Sequence, residues 1–253
     1  MDAALLAVSG LTLRFGGLAA VDRLDLAVSA GEIVGLIGPN GSGKTTALNV
    51  VSGFLKPDDG RVEFGGRDIT GFRPDLIARG GLVRTFQEAR VFPTLALIEN
   101  LLLPGQQHQE DNLALRMFPS RRLRNLEADA RRRAHELLEF VELGPLANHL
   151  AGSLSYGQKK LLMLAAALMP NPRLVLLDEP TAGVNPTLIA HLKRYIVELN
   201  GQGLSVLLVE HNMEVVMEIC HRVVVLNFGR VIADGSTASV REDPNVIEAF
   251  FGT

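Results

Sequence analysis

Gly38-Pro39-Asn40-Gly41-Ser42-Gly43-Lys44-Thr45 has the spacing G-x-x-x-x-G-K-[ST]. Glycines at these positions leave main-chain N–H groups free to wrap a polyphosphate, and a helix starting at the lysine adds partial positive charge. Lys44 can reach the β- and γ-phosphates, and the Thr45 hydroxyl, followed by Thr46, can ligate Mg²⁺. Far downstream, Asp178-Glu179 closes the apolar run Leu174–Leu177. An acidic pair at the carboxyl end of a buried parallel strand stands where open α/β sheets bind ligands. Asp178 is expected to hold Mg²⁺ through a water, and Glu179 to polarise an attacking water as general base. The bland alternatives are a Gly-rich turn with a solvated lysine and an acidic turn before Pro180. The flanking strand and helix argue against both. Taken alone, these residues specify a P-loop nucleotide hydrolase or kinase.

The elements that must hold them follow from periodicity. Glu32–Ile37 is a near-continuous apolar strand, and a helix is expected over Lys44–Ser52. Arg173–Asp178, Leu204–Val209 and Arg222–Asn227 read as further buried strands, with helices at Leu188–Leu199 and Met213–Cys220. The N-terminal part alternates instead. Leu5–Val8 and Leu11–Phe15 are expected as strands around Ser9-Gly10, and Val21–Val28 fits a half-buried antiparallel sheet. From Phe86 to Leu168 the pattern is mostly helical, with Ala130, Ala134, Leu137, Leu138 and Val141 on one face of a charged helix. The expected fold is α/β: a P-loop core, an N-terminal antiparallel β-subdomain and an inserted helical subdomain. One domain would span 1–253, with 1–86 and 169–253 as core plus β-subdomain and 87–168 as the helical part.

Composition narrows the class. The 253 residues are 47% hydrophobic and 21% charged, with 25 basic against 28 acidic side chains and a net charge of −3. That balance argues for a globular chain and against a dedicated nucleic-acid binder. Cys220 stands alone, so no internal disulfide forms. The longest apolar run, Leu161–Met169, is far shorter than the ~20 residues of a membrane span. Asp2 and the lack of a basic start argue against a secretory signal. A chain in the cytoplasm, able to sit against a membrane protein, is expected. Seven arginines between Arg116 and Arg133 read as a solvated helical face, lipid headgroups or nucleic acid being the other readings.

The residues between the two phosphate-site motifs carry a resemblance. Leu154-Ser155-Tyr156-Gly157-Gln158 precedes a helix ended by Pro170. It is similar to the LSGGQ signature of the ATP-binding subunits of ABC transporters, with Tyr156 in place of the first glycine; Ser155 would also serve as a plain helix N-cap. Gln87, in Arg84-Thr85-Phe86-Gln87, resembles the Q-loop glutamine, which in the family touches Mg²⁺ and couples to the membrane subunit. His211 resembles the switch histidine that contacts the γ-phosphate, and Phe15 the aromatic that stacks on adenine. Ala182-Gly183-Val184-Asn185 occupies the D-loop, with Asn185 where the family usually has aspartate. The resemblance spans the chain. Ser52-Gly53-Phe54, Lys56-Pro57, Ala182–Pro186 and Asp243–Gly252 extend it to one of the two ATPase subunits of branched-chain amino-acid importers. Many relatives carry Glu and Arg where this chain has Met163 and Ala166.

The resemblance implies an ATPase using ATP and Mg²⁺, peripheral on the cytoplasmic face of the membrane. Its partners would be hydrophobic permease subunits, a second ATPase subunit (a different chain, or a copy of this one) and indirectly a solute-binding protein, with no nucleic acid. Lys44, Glu179 and His211 would approach an ATP whose other side meets Ser155, Gly157 and Gln158 of another subunit. Rival readings are a urea or amide importer, a lipopolysaccharide-type exporter, a soluble ABC ATPase and a P-loop kinase. One cassette without sustained heptads disfavours the soluble ATPase, and a kinase has no need of the Ser155 segment.

Overall fold

The computed structural model describes residues 4–85, 88, 90–105 and 121–251. In chain order the elements are β1 (Leu6–Phe15), β2 (Leu18–Val28), β3 (Ile33–Ile37), α1 (Lys44–Val51), β4 (Asp59–Phe64), β5 (Arg67–Asp68), α2 (Pro74–Arg79), β6 (Leu82–Arg84) and α3 (Leu97–Gly105). They continue with α4 (Arg121–Phe140), α5 (Tyr156–Leu168), β7 (Leu174–Asp178), α6 (Pro186–Gly201), β8 (Ser205–Val209), α7 (Met213–Ile219), β9 (Arg222–Asn227), β10 (Arg230–Gly235), α8 (Thr237–Glu242) and α9 (Pro244–Phe251).

The described strands form two sheets. One has the order β2-β1-β4-β5, antiparallel throughout; the other runs β10-β9-β3-β8-β7-β6, parallel except for its β9–β10 edge. The second sheet explains the unbroken apolar runs, because both of its faces are covered. Ile33, Ile37, Val175, Leu177, Val206 and Leu208 point to one side, into a core shared with Leu97, Leu138, Leu162 and Leu192 of the helices. Their neighbours Val34, Leu36, Leu174, Leu176, Leu207 and Val209 point to the other, against α1 and the antiparallel sheet. Successive side chains of a strand alternate in direction, so each strand contributes to two cores at once.

The N-terminal pattern is corrected in one respect. The two strands expected around Ser9-Gly10 are one strand, β1, whose register against β2 shifts between Val8 and Leu11. A bulge absorbs Gly10 without ending the pairing.

α5 carries its own start signal. Gln158 N–H donates to Ser155 Oγ (3.3 Å) and Ser155 N–H to Gln158 Oε1 (3.0 Å), a reciprocal capping box. At its other end Arg133 of α4 donates from Nη2 to Leu168 O (2.8 Å) and from Nε to Met169 O (3.1 Å). Arg133 therefore does more than solvate a helical face: it satisfies carbonyls that a helix C-terminus leaves unpaired. Arg133→Ala is expected to cost about 1 kcal/mol, the net worth of such bonds at a half-exposed site, read as a lowered urea midpoint at unchanged m.

Candidate functional site

The turn between β3 and α1 is shaped by contacts that leave no room for side chains. Gly43, the residue before α1, has φ 105, and a Cβ there would lie 2.3 Å from Ala20 O of β2. At Gly38 a Cβ would lie 2.0 Å from Leu226 O of β9. Gly229 N–H donates to Ser42 O (2.9 Å), so the β9–β10 turn also clasps the loop. Lys44 is 5% exposed and donates to Gly38 O (2.8 Å), Pro39 O (2.9 Å) and Ser42 Oγ (3.4 Å). Burial pushes its pKa down, and the charges of Glu179 and Asp178 oppose that shift.

Asp178 ends β7, and its Oδ2 accepts from Arg84 Nη2 at 2.8 Å, both side chains being 5% exposed. Arg84 Nη1 donates to Asn49 Oδ1 (2.7 Å) and Ser52 Oγ (3.1 Å), and its guanidinium lies 6.0 Å from the Phe54 ring centre. The ion pair thereby joins the helix behind the phosphate loop to the acidic strand through β6. Removing either partner of a buried pair of this kind leaves the other's charge buried without compensation.

Glu179 has φ 47, a left-handed conformation unusual for a residue other than glycine. Its N–H donates to Val209 O (2.9 Å), which fixes it to the end of β8. His211 Nε2 lies 2.8 Å from Glu179 Oε1. Glu210, 3% exposed, holds the histidine's loop in place. Its Oε1 accepts from Thr181 N–H (2.8 Å) and Oγ1 (2.7 Å), and its Oε2 from the N–H groups of His211 (3.1 Å) and Asn212 (3.4 Å).

A cavity of about 290 Å³ collects these groups. Asn40, Lys44, Thr45, Thr46, Glu179 and His211 line it, together with Gly41, Gly43, Leu18 and Phe228. Phosphate-binding N–H groups, a cation, a hydroxyl and a carboxylate–imidazole pair thus face one space, which suits attack of water on a phosphoanhydride.

Other expected residues stand elsewhere. Phe15 is 54% exposed at the end of β1 and is not among the residues lining this cavity. Phe228, 84% exposed in the β9–β10 turn, is. Its signal was present in Asn227-Phe228-Gly229, an aromatic in a turn with no partner to pack on. Ser155, Gly157 and Gln158 sit at the start of α5, away from the cavity lining. A Cβ at Gly157 would meet the terminal Cδ2 of Leu188 at 2.3 Å, a contact that a turn of the half-buried leucine side chain of α6 relieves. Asn185 caps α6, its Oδ1 accepting from Leu188 N–H at 2.9 Å. Gln87 lies outside the described residues. The sequence carries no local signal for Arg84 or Glu210, because the Arg84–Asp178 pair joins neighbouring strands and its two residues stand 94 apart in the chain.

Comparison with known proteins agrees with this geometry. Residues 21–182 match the family described as ABC transporter. The chain is 42% identical over 253 residues to the high-affinity branched-chain amino acid transport ATP-binding protein BraF of Pseudomonas aeruginosa, covering 100% of this chain and 99% of that protein. It is 40% identical, with the same coverage, to the corresponding protein LivG of Escherichia coli. The ADP conformation of MJ1267, an ATP-binding cassette of an ABC transporter, superposes with a TM-score of 0.86 at 34% identity over all of both chains. A phosphate loop, a carboxylate–histidine pair and the capped Ser155 helix, in one chain that matches these proteins end to end, place it among the ATP-binding cassettes of the ABC transporter family.

Proposed function

We propose that this chain is the ATP-hydrolysing motor subunit of an importer of branched-chain or other amino acids. The observation that carries the reading is the shared cavity in which Lys44, Thr45, Glu179 and His211 meet. The names of BraF and LivG support the choice of cargo. Lys44 clamps the β- and γ-phosphates, Glu179 accepts a proton from the attacking water, and His211 holds the Glu179 carboxylate and faces the γ-phosphate. Mg²⁺ fits the donor set: the Thr45 hydroxyl lines the cavity, the Asp178 carboxylate behind it has one oxygen bonded to Arg84 and a second, Oδ1, as a hard donor, and Gln87 is proposed as a third. When bound, the ion would neutralise charge on the phosphate oxygens. Ser155, Gly157 and Gln158 complete the site of a second ATPase subunit, a reading supported by the exposed Ser155 and the half-buried Gly157 and Gln158 at the start of α5.

The chain works on the cytoplasmic face of the membrane, against permease subunits. No helix among the described residues is long and apolar enough to cross a membrane. The surface proposed for the permease is a groove of about 370 Å³ lined by Phe54, Ala78, Arg84, Arg90, Met163 and Ala166 among others. Met163 and Ala166, where many relatives are charged, give it an apolar floor suited to an apolar helix. Beside it Asn100, 6% exposed, binds the main chain of Phe92 in both directions (2.7 and 3.1 Å) and leaves the ring 58% exposed.

The test is purification from native membranes with whatever permease subunits accompany the chain, then ATP-dependent leucine uptake into vesicles containing them. Phe92→Glu is expected to abolish uptake while the isolated chain still hydrolyses ATP. Uptake of urea or an amide in place of leucine would overturn the cargo, and purification with no membrane subunit would overturn the transporter reading.

A further inference from the structure

α5 starts at exposed Ser155 and runs inward, so that Lys160, about 8 Å further along the axis, is 4% exposed. A lysine buried this far needs partners. Its Nζ donates to the main-chain carbonyl of Glu179 at 3.2 Å and lies 5.7 Å from the centre of the Tyr156 ring. Burial lowers its pKa, while the charges of Glu210, Glu179 and Asp178 favour the ammonium form. Tyr156 in turn covers the segment after Glu179, since a Cβ on Gly183 would lie 3.2 Å from its Cε1.

Glu179 is where such a tie has an effect. With φ 47 it occupies a conformation that persists only when its surroundings impose it. Val209 O holds its N–H, while Lys160 Nζ and Ala182 N–H (3.2 Å) hold its carbonyl. Of these three, Lys160 alone belongs to the helix that carries Ser155.

We propose that Lys160 is a positioning residue: its ammonium holds the strained main chain of Glu179, so that the aim of the Glu179 carboxylate depends on where the Ser155 helix stands. The inference rests on the reading of Glu179 as general base. A displacement of α5, such as a second subunit's nucleotide would cause at Ser155, moves the Lys160 anchor with it. Loss of the anchor lets Glu179 relax toward an ordinary φ and draws its carboxylate away from His211. Hydrolysis would then report the position of this helix through the Lys160 hydrogen bond, with Tyr156 as the lid over it.

The test compares Lys160→Met, which keeps length and packing but cannot donate, with Lys160→Arg, which can. Lys160→Met is expected to lower kcat about tenfold or more with the directly titrated ATP Kd within about twofold, and Lys160→Arg to restore most of the loss. In a Glu179→Gln background Lys160→Met should cost less than about twofold in single turnover, because the base it positions is absent. Three results would overturn the proposal: full kcat in Lys160→Met, a fall in ATP affinity as large as that in kcat, or an undiminished loss in the Glu179→Gln background. If Lys160→Met does not fold, Lys160→Leu, which likewise cannot donate, takes its place against Lys160→Arg and is judged by the same kcat and Kd criteria. Near-normal turnover in Glu179→Gln alone is a separate outcome, which removes the base assignment itself.

Discussion

Glu179→Gln is expected to bind ATP with near-normal affinity and to hydrolyse it about 10²–10⁴-fold more slowly, the usual worth of a positioned base. The side chain is only 15% exposed, and its Oε1 faces His211 Nε2 at 2.8 Å. Glutamine has the same shape and an amide oxygen that can accept from the same imidazole, so the cavity and the main chain at φ 47 should be kept. What it lacks is the ability to take a proton. Phosphate release in single turnover, alongside nucleotide titration, separates the two. Turnover near that of the parent chain would transfer the role of base to another group or to solvent.

Lys44→Ala should lower kcat/KM for ATP by about 10²–10³-fold, as for loss of one preorganised charge-stabilising donor. The ammonium is nearly buried and already bonded to two carbonyls of its own loop, so it is set in place before nucleotide arrives. Alanine removes both the charge aimed at the phosphates and the internal brace of the loop. A second arm asks whether sites are shared. If two copies can associate, Lys44→Ala chains mixed with Ser155→Arg chains should recover part of the activity, since each kind has one half that the other needs. Specific activity that is independent of dilution, in a chain that stays monomeric with ATP bound, would sink the shared site.

Much of the nucleotide core was legible because it is local. The phosphate loop is contiguous, its flanking strand is apolar on both faces, and Asp178-Glu179 ends a run of the same kind. What stayed hidden depends on contacts between remote segments. The two-residue strand β5 and the small helix α8 are mostly exposed and too short to show a period, and the edge strand β10 is largely half-buried without alternating. The Arg84–Asp178 pair, the Thr181 bonds to Glu210 and the Lys160 anchor join residues 94, 29 and 19 apart in the chain, so no spacing announces them. The role expected of Phe15 rests on the resemblance alone, since an exposed aromatic at the end of a strand carries no pattern of its own.

The position of β3 has a bearing on how the protein is made. The phosphate loop follows Ile33–Ile37 and leaves the ribosome early, but that strand is hydrogen-bonded on one side to β8 and on the other to β9. Both partners are synthesised long after it, and the residues that press on the loop, Leu226 near the end of β9 and Gly229 just beyond it, come last of all these. Until Ser205–Val209 is made this apolar strand has two open edges, and until Arg222–Asn227 follows it still has one, a state that folds slowly and invites pairing with other chains. A nascent chain stopped before that point would contain Gly38–Thr45, Ser155–Gln158, Asp178, Glu179 and His211, and still be unable to shape the loop around a phosphate.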